Sequence, residues 1–378
     1  MTMIYFDAAA TTKPSASVLE RFAKVSSDYV GNPSSSHALG REAARVVEDA
    51  RKEMLSAFGL AKTHQAIFLS GASEANNLAL KGVAFQYQNR GKKILVSAVE
   101  HPSVLLPAKR LAEKFGFELA LLPTDAFGRV LPSTLEEAID DKTILVSVMG
   151  VNNETGAIND LKALASIVHR YPKCYFHSDL TQAIGKVDVP FADLDLFSFS
   201  GHKIHGIKGS GALIYKASIR FMPLIDGGGQ ENGYRSGTVS PALCASLSLA
   251  LSESLSKRKE NESHALALWK KLRDGLSNED VILHSDENGS PFVLNFSLSH
   301  HKASVIVEAL SREGIYVSTA SACSSKKEPY SEVLVAMGKS MEEASNAIRV
   351  SFDEDSTVED VDAFLSALHK NLEEIHKR

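Results

Sequence analysis

Seven short apolar runs, most of them separated by stretches with helical character, are the feature that most constrains the fold of this chain. The runs are 66–70, 94–97, 117–122, 143–148, 174–177, 196–199 and 212–215. Continuous apolar runs that alternate with helices predict an α/β fold with a mostly parallel sheet covered on both faces. Such a sheet binds ligands beyond the carboxyl ends of its strands. Polar residues that follow these runs are therefore the first candidates for a functional site.

The length of the chain predicts two domains. Its 378 residues exceed the size at which a single hydrophobic core usually stops growing. A polar stretch at 255–261 has helical character and predicts a long connecting helix. We therefore expect a large domain over residues 15–255, and a smaller domain that combines residues 1–14 with residues 256–378.

Composition and charge narrow the class of ligand. No apolar run approaches the roughly 20 residues that a membrane helix needs, and residues 1–10 lack the pattern of a secretory signal. A net charge of −5 offers no broad basic surface for nucleic acid or anionic lipid. Three widely spaced cysteines, Cys174, Cys244 and Cys323, are typical of a reducing compartment. We expect a cytoplasmic protein with a small ligand and no direct contact with nucleic acid or membrane.

A turn of small residues at 71–77 follows the run that ends at Ser70 and opens a helical pattern. The free N–H groups and the positive dipole end of such a helix can hold a phosphate group. The turn lacks the spacing of a P-loop and of a dinucleotide-binding motif, which favours a single phosphate over a nucleotide. An ordinary strand-to-helix turn capped by Ser73 is the alternative at this point.

Lys203 and Asp179 also follow apolar runs. A lysine that is desolvated near Gly-rich residues 206–211 can lose its proton and attack a carbonyl carbon, although a plain surface lysine is commoner. An aspartate at the end of a strand can keep a pyridine nitrogen protonated, so that the ring accepts electrons. Together with the phosphate-binding turn, these two residues predict a pyridoxal phosphate site.

The segment 321–329, Ser-Ala-Cys-Ser-Ser-Lys-Lys-Glu-Pro, places Cys323 among small, polar and charged residues. Unpaired cysteines are usually buried in apolar surroundings, and neighbouring lysines favour the thiolate. Cys323 is therefore a candidate nucleophile, with an incidental surface cysteine as the alternative. Cys174 and Cys244 have the neighbours of core residues.

Histidines give no support for a metal site. His202 and His205 lie three residues apart, and His300 adjoins His301, but no cysteine pair has the spacing of a zinc site. We expect no metal ion.

Ten motifs, in family order across nearly the whole chain, resemble the NifS/IscS-like (group I) cysteine desulfurases of the class V aminotransferase superfamily. They are YFDAAATT (5–12), GNPSSSH (31–37), SGASEANN (70–77), EHPSV (100–104), VNNETG (151–156), HSDLTQ (177–182), SFSGHK (198–203), RSGT (235–238), SAC (321–323) and IRVS (348–351). The resemblance implies the type I fold of pyridoxal-phosphate-dependent transferases: a large domain with a mostly parallel seven-stranded sheet flanked by helices, and a smaller α+β domain carrying the Cys323 loop.

The resemblance also implies an activity and partners. A homodimer would convert L-cysteine to L-alanine and hold the sulfur as a persulfide on Cys323. A sulfur acceptor or iron–sulfur scaffold protein would then receive the sulfur, for iron–sulfur cluster assembly or tRNA thiolation.

Site residues follow from the resemblance as well. Lys203 would hold the cofactor covalently and move protons, and His101 would stack on its ring and assist protonation. Asp179 would pair with the pyridine nitrogen, and Gln182 and Asn153 would bind the side of the phenolic oxygen.

The phosphate and the substrate have their own residues in this resemblance. The phosphate would be held by Ala72, Ser73, Ser200 and His202, with Thr238 contributed by the other subunit. Arg349 and Asn32 would hold the substrate carboxylate, a task that suits the planar guanidinium group.

The sequence departs from the family pattern in two places. Two alternative functions also stay open. The segment after Cys323 is slightly shorter than usual and contains Lys326 and Lys327, and Ser73 replaces a more usual threonine. A selenocysteine lyase or an aminotransferase would not need Cys323. A sulfur-relay scaffold without catalysis would not need Lys203.

Overall fold

A computed structural model describes residues 3–276, 280–319 and 330–375. Its strands are β1 (Ile4–Tyr5), β2 (His64–Leu69), β3 (Lys93–Ser97), β4 (Glu118–Leu122), β5 (Thr143–Ser147), β6 (Tyr175–Asp179), β7 (Leu196–Ser200), β8 (Gly211–Lys216), β9 (Val281–Leu283), β10 (Val293–Leu298), β11 (Ile315–Tyr316), β12 (Ser318–Thr319) and β13 (Ala347–Ser351). Its helices are α1 (Ala16–Asp28), α2 (Ala38–Ala57), α3 (Ala72–Asn77), α4 (Val83–Tyr87), α5 (Pro102–Phe115), α6 (Pro132–Ala138), α7 (Leu161–Val168), α8 (Pro241–Gly275), α9 (Ala303–Arg312), α10 (Glu332–Ala336), α11 (Met341–Ser345) and α12 (Val358–Glu374).

A seven-stranded sheet forms the centre of the fold, in the order β2-β8-β7-β6-β5-β3-β4. Strand β8 runs antiparallel to β2 and β7, and the other neighbouring pairs are parallel. Each of the seven apolar runs corresponds to one of these strands, so the predicted α/β sheet is confirmed. The two edge strands, β2 and β4, contain exposed polar residues near their start, whereas β5 and β7 are buried along their whole length.

Apolar residues cover both faces of this sheet, which explains why the runs are continuous rather than alternating. Along β3, Leu95 packs into one core cluster, whereas its neighbours Ile94 and Val96 pack into another. Because successive side chains of a strand point to opposite faces, the two clusters lie on opposite sides of the sheet.

A second, four-stranded antiparallel sheet has the order β12-β13-β10-β9. The 35-residue helix α8 links the two parts, because Leu247 and Leu251 pack into a core of the large sheet and Leu268 and Leu272 into a third core beside the smaller one. This confirms the predicted connecting helix. The domain limits 15–255, 1–14 and 256–378 remain a prediction.

A close backbone approach shapes the turn after β2. Gly71 is the N-cap of α3 with φ +156°, and Ser73 does not cap this helix. A Cβ atom at Gly211 would lie 2.5 Å from Gly71 Cα and 2.6 Å from the oxygen of Phe199. Glycine at 211 therefore allows β8 to pass close to the turn at 71–73.

No helix within the described ranges is long and apolar enough to cross a membrane. Cys174 and Cys244 are free and buried, as the sequence predicts for core residues.

We expect Gly211→Ala to lower the free energy of unfolding by about 3 kcal/mol, because two backbone atoms must move to admit the methyl group. Gly59→Ala is the matched control. No atom lies within 4 Å of a Cβ at Gly59, whose φ is +74°, so this variant should lose only about 1 kcal/mol from its left-handed backbone. Urea denaturation of both variants measures the difference, and equal losses would contradict the close-approach explanation.

Candidate active site

A cavity of about 310 Å³ opens at the carboxyl ends of the central strands of the large sheet. This volume suits a ligand the size of a small cofactor. Nine of the residues predicted from the sequence line this cavity: Ala72, Ser73, His101, Asn153, Asp179, Gln182, Ser200, His202 and Lys203. The fold thus brings together side chains that lie up to about 130 positions apart in the chain, because parallel strands end at one edge of a sheet.

Lys203 ends a short 3₁₀ turn that follows β7. Its Nζ donates a hydrogen bond to the oxygen of Ala10 at 2.7 Å and another to the oxygen of Ala9. The N-terminal segment is fixed there by a bond of 2.8 Å from the Thr12 amide to the oxygen of His202. The amine therefore lies at the cavity, held by carbonyl groups that sequence reasoning did not assign to the site.

Asp179 is the last residue of β6, and only 4% of its surface is exposed. Its Oδ2 accepts a hydrogen bond from Asn76 Nδ2 at 2.7 Å, and its Oδ1 accepts one from the Thr181 amide at 2.9 Å. Asn76 is oriented in turn by the hydroxyl of Ser198, which donates to its Oδ1. Sequence reasoning missed the role of Asn76, although the residue lies inside the 70–77 motif.

His101 forms the N-cap of α5, where its Nδ1 accepts a hydrogen bond of 3.1 Å from the Ser103 amide. Because Nδ1 is an acceptor, a neutral ring carries its proton on Nε2. Burial lowers the pKa of His101, Asp179 raises it, and the Lys203 ammonium lowers it further. The imidazole is thereby favoured in its neutral form.

Donor groups for an anion surround the start of α3. The Ala72 amide donates to Ser200 Oγ at 2.7 Å, and Ser73 lines the cavity beside it. Burial, together with the charge of Lys203, lowers the pKa of His202 to about 4. Its Nδ1 lies 3.1 Å from Thr11 Oγ1. His202 is thus a neutral ring that is held in place on the same cavity wall as Ser200.

Glu100 is a buried acid beside His101 that sequence reasoning did not use. Burial raises the pKa of Glu100 well above its ordinary range, and the nearby carboxylate of Asp179 adds to the increase. Its Oε1 accepts from the Met149 amide at 2.5 Å. The residue lies in the 100–104 motif, which was the signal that could have identified it.

Arg349 lies on β13 with 1% of its surface exposed and approaches the site from the smaller sheet. Its Nη1 donates to the oxygen of Asn153 at 3.0 Å, and its Nη2 pairs with Asp7 at 2.9 Å. Its buried Nε has no partner in the part of the chain that the structure describes. Arg349 thus touches a residue of the cavity wall without lining the cavity.

Besides Arg349, two predicted residues that the structure describes, Asn32 and Thr238, do not line this cavity. Asn32 is exposed, and its Oδ1 accepts from the Ser34 amide at 2.9 Å. Thr238 is exposed and lines a separate pocket of about 110 Å³. Cys323 lies outside the described residues.

The groups on the cavity wall fit pyridoxal phosphate. The start of α3, with Ser200 and His202, offers donors suited to a phosphate. Asp179 offers a fixed carboxylate for a protonated pyridine nitrogen. Lys203 supplies a primary amine for an aldehyde on the same wall.

Comparison with known proteins agrees with this donor set. The family model described as aminotransferase class-V matches residues 4–364. A protein named NifS/IcsS protein homolog from Lactobacillus delbrueckii subsp. bulgaricus is 40% identical, over 99% of this chain and 98% of its own length. A protein named cysteine desulfurase IscS from Dictyoglomus turgidum is 39% identical, over 98% of this chain and 95% of its own length.

Solved structures show the same fold. The structure of a NifS-like protein superposes with a TM-score of 0.92 at 34% identity, over 99% of this chain and 100% of that one. A structure of SspA in complex with cysteine gives a TM-score of 0.79 at 31% identity, over 93% and 99% of the two chains. The chain therefore belongs to the class V aminotransferase family, with the type I fold, and within it to the NifS/IscS-like cysteine desulfurases, which depend on pyridoxal phosphate.

Proposed function

We propose that this protein releases sulfur from L-cysteine with Lys203, His101 and Cys323 as its catalytic residues. The observation that carries the proposal is the cavity that Lys203 and His101 line together with seven of the other predicted residues. The complex of the similar protein SspA with cysteine supports L-cysteine as the substrate. When bound, pyridoxal phosphate supplies an electron-withdrawing ring that acidifies the α-carbon of an amino acid and loosens bonds at its β-carbon.

The cofactor would be held by groups that are already oriented by protein contacts. Ala72, Ser73, Ser200 and His202 would bind its phosphate, and Asp179 would bind its pyridine nitrogen. The bonds from Asn76 and the Thr181 amide hold the Asp179 carboxylate in one orientation. Such preorganisation reduces the cost of ordering the site when the cofactor arrives.

Lys203 would take the α-proton from the substrate and return a proton to the carbon skeleton. Lys203 lines the cavity, and its Nζ is held by the carbonyl oxygens of Ala9 and Ala10. The lowered pKa of His101 keeps that ring uncharged, so it can lie against a second aromatic ring and donate from Nε2.

Substrate orientation would come mainly from Arg349. Its fork is fixed by Asp7 and Asn153, and its Nε, which has no partner among the described residues, would donate to a carboxylate oxygen. The second proposed contact, Asn32, is supported only by the 31–37 motif.

The thiolate of Cys323 would attack the sulfur of the substrate. An S–S bond forms, the Cβ–S bond breaks, and its electron pair stays with the carbon skeleton, which takes up protons and leaves as L-alanine. The persulfide then passes its outer sulfur to a protein acceptor for iron–sulfur cluster assembly or tRNA thiolation. Small polar neighbours and two lysines suit a nucleophile that must reach both substrate and acceptor.

We propose further that two copies of the chain form the active unit, with Thr238 completing the phosphate site of the partner. Thr238 is exposed and does not line the cavity of its own chain. Met222, Leu224 and Ile225 are exposed apolar residues that precede it along the chain, and a partner surface would cover them. We also propose that the chain has two domains and that the protein is cytoplasmic.

Two substitutions test the catalytic roles. Lys203→Ala should lose sulfide and alanine release from L-cysteine and also lose the bound colour of the cofactor. Cys323→Ser should lose sulfide release but keep the colour, because it changes only the nucleophile. Absorption spectra and product assays measure both effects.

Cys174→Ala is the control for Cys323→Ser, because Cys174 is a buried thiol that does not line the cavity. It should retain activity. Sulfide release that persists in Cys323→Ser would favour an enzyme that does not need this nucleophile, such as a selenocysteine lyase, whereas transfer of the amino group without sulfide release would favour an aminotransferase. Wild-type protein that binds the cofactor but leaves L-cysteine unchanged would favour a non-catalytic scaffold.

Mixing two inactive variants tests the shared site. In a hybrid of one Lys203→Ala chain and one Thr238→Glu chain, one of the two sites has both native residues. Random exchange of subunits should therefore restore about a quarter of the wild-type activity.

A mixture of Lys203→Ala with Asp179→Ala chains is the control for this experiment. Both residues lie on the cavity wall of the same chain, so every site of a hybrid keeps one defect and the mixture should stay inactive. A mixture of Lys203→Ala with Thr238→Glu that also stays inactive after subunit exchange, or a fully active monomer in sedimentation analysis, would contradict the shared site.

A further inference from the structure

A buried lysine that the proposed mechanism does not use lies behind the cavity wall. Lys186 is 8% exposed and does not line the cavity. Its Nζ donates a hydrogen bond of 2.7 Å to Oε1 of Gln182, four residues earlier in the chain. Burying a lysine amine is costly unless the group has a specific partner. A side-chain amide at the site is the partner that the structure provides.

Two contacts together determine which end of the Gln182 amide faces which group. In its charged form Lys186 can only donate, and that form requires the amide oxygen as its partner. The carbonyl oxygen of Ala9 can only accept, and it receives Gln182 Nε2 at 2.8 Å. The reversed amide would place oxygen against oxygen and NH₂ against ammonium. Lys186 and Ala9 therefore favour the same orientation.

Among the residues that the structure describes, these two contacts leave one N–H of Gln182 without a partner. The amide nitrogen carries two hydrogens, and one of them is given to Ala9. Gln182 lines the cavity, so the second hydrogen is the donor that it can offer to a ligand. A reversed amide would offer an acceptor instead, which would repel a negatively charged phenolic oxygen.

We propose that Lys186 is a positioning residue that keeps an N–H of Gln182, rather than its carbonyl oxygen, directed toward the phenolic oxygen of bound pyridoxal phosphate. This inference rests on the proposed role of Gln182 in the cofactor site. It deepens that role, because it identifies the group that makes the amide a donor.

The charge around Lys186 agrees with this role. Burial and the positive charges of Lys203 and Arg349 lower the pKa of Lys186, the carboxylate of Asp353 opposes the decrease, and together they bring it to about 7. Asp353 is thus the neighbour that favours the charged form of Lys186, which can only donate.

A double-mutant cycle tests the inference. The variants are Lys186→Met, Gln182→Leu and the double variant, and Lys162→Met on the exposed face of α7 is the control. The dissociation constant of pyridoxal phosphate is measured by absorbance titration of cofactor-free protein. Gln182→Leu should weaken cofactor binding about tenfold, because it removes the donor to the phenolic oxygen. Lys186→Met should weaken binding by a similar factor, because the Gln182 amide loses the contact that keeps its N–H directed toward that oxygen.

The double variant should bind the cofactor no more weakly than Gln182→Leu alone, since Lys186 acts through Gln182. Lys186→Arg should largely restore both affinity and the visible spectrum, because guanidinium also only donates. Circular dichroism and thermal melting of the cofactor-free variants exclude unfolding as the cause. If Lys186→Met unfolds, Lys186→Gln, whose amide can accept as well as donate, replaces it in the cycle.

Strictly additive effects, or a Lys186→Met variant that matches Lys162→Met, would overturn the inference while leaving the proposed function intact. A wild-type protein that binds no pyridoxal phosphate would instead overturn the proposed function. The two failures are therefore distinguishable.

Discussion

The parallel pairing of β6 with β7 is the interaction on which the rest of the site depends. In this register Asp179 lies opposite Ser198, so the ends of the two strands meet at one edge of the sheet. Ser198 also orients Asn76, which binds Asp179. One residue of slip would turn every side chain of the shifted strand to the opposite face. The backbone ladder therefore sets both the position of the carboxylate and the contacts that orient it.

A second constraint is the crossing of the N-terminal segment over the cavity. The carbonyl oxygens of Ala9 and Ala10 accept from Lys203, and Ala9 also accepts from Gln182. Backbone carbonyls have no rotamers, so these two acceptors lose no side-chain entropy when they bind the amine of Lys203. Burial also favours the neutral forms of acids and bases around the cavity: it raises the pKa of Glu100 and lowers that of His101. The site thereby limits the number of charges that have to be buried together.

The sequence allowed much of this arrangement to be predicted, for reasons that differ from residue to residue. The seven strands were identifiable because a sheet covered on both faces requires continuous apolar runs. Lys203 and Asp179 were identifiable because they follow such runs directly. Asn32 and Thr238 came only from motif resemblance, and neither lies on the cavity wall of its own chain. A motif indicates that a residue is used, but it does not tell which chain or which conformation brings the residue to the site.

The sequence by itself determined the fold class and the family and supplied the candidate reactive groups, because periodicity and motif spacing are local properties of the chain. Only the tertiary structure decided which backbone atoms and neutral side chains hold those groups. The Ala9 carbonyl and Lys186 are far apart in the chain, yet they determine together the orientation of one amide. Hydrogen-bond direction depends on the positions of both partners in space, and no spacing along a sequence encodes it.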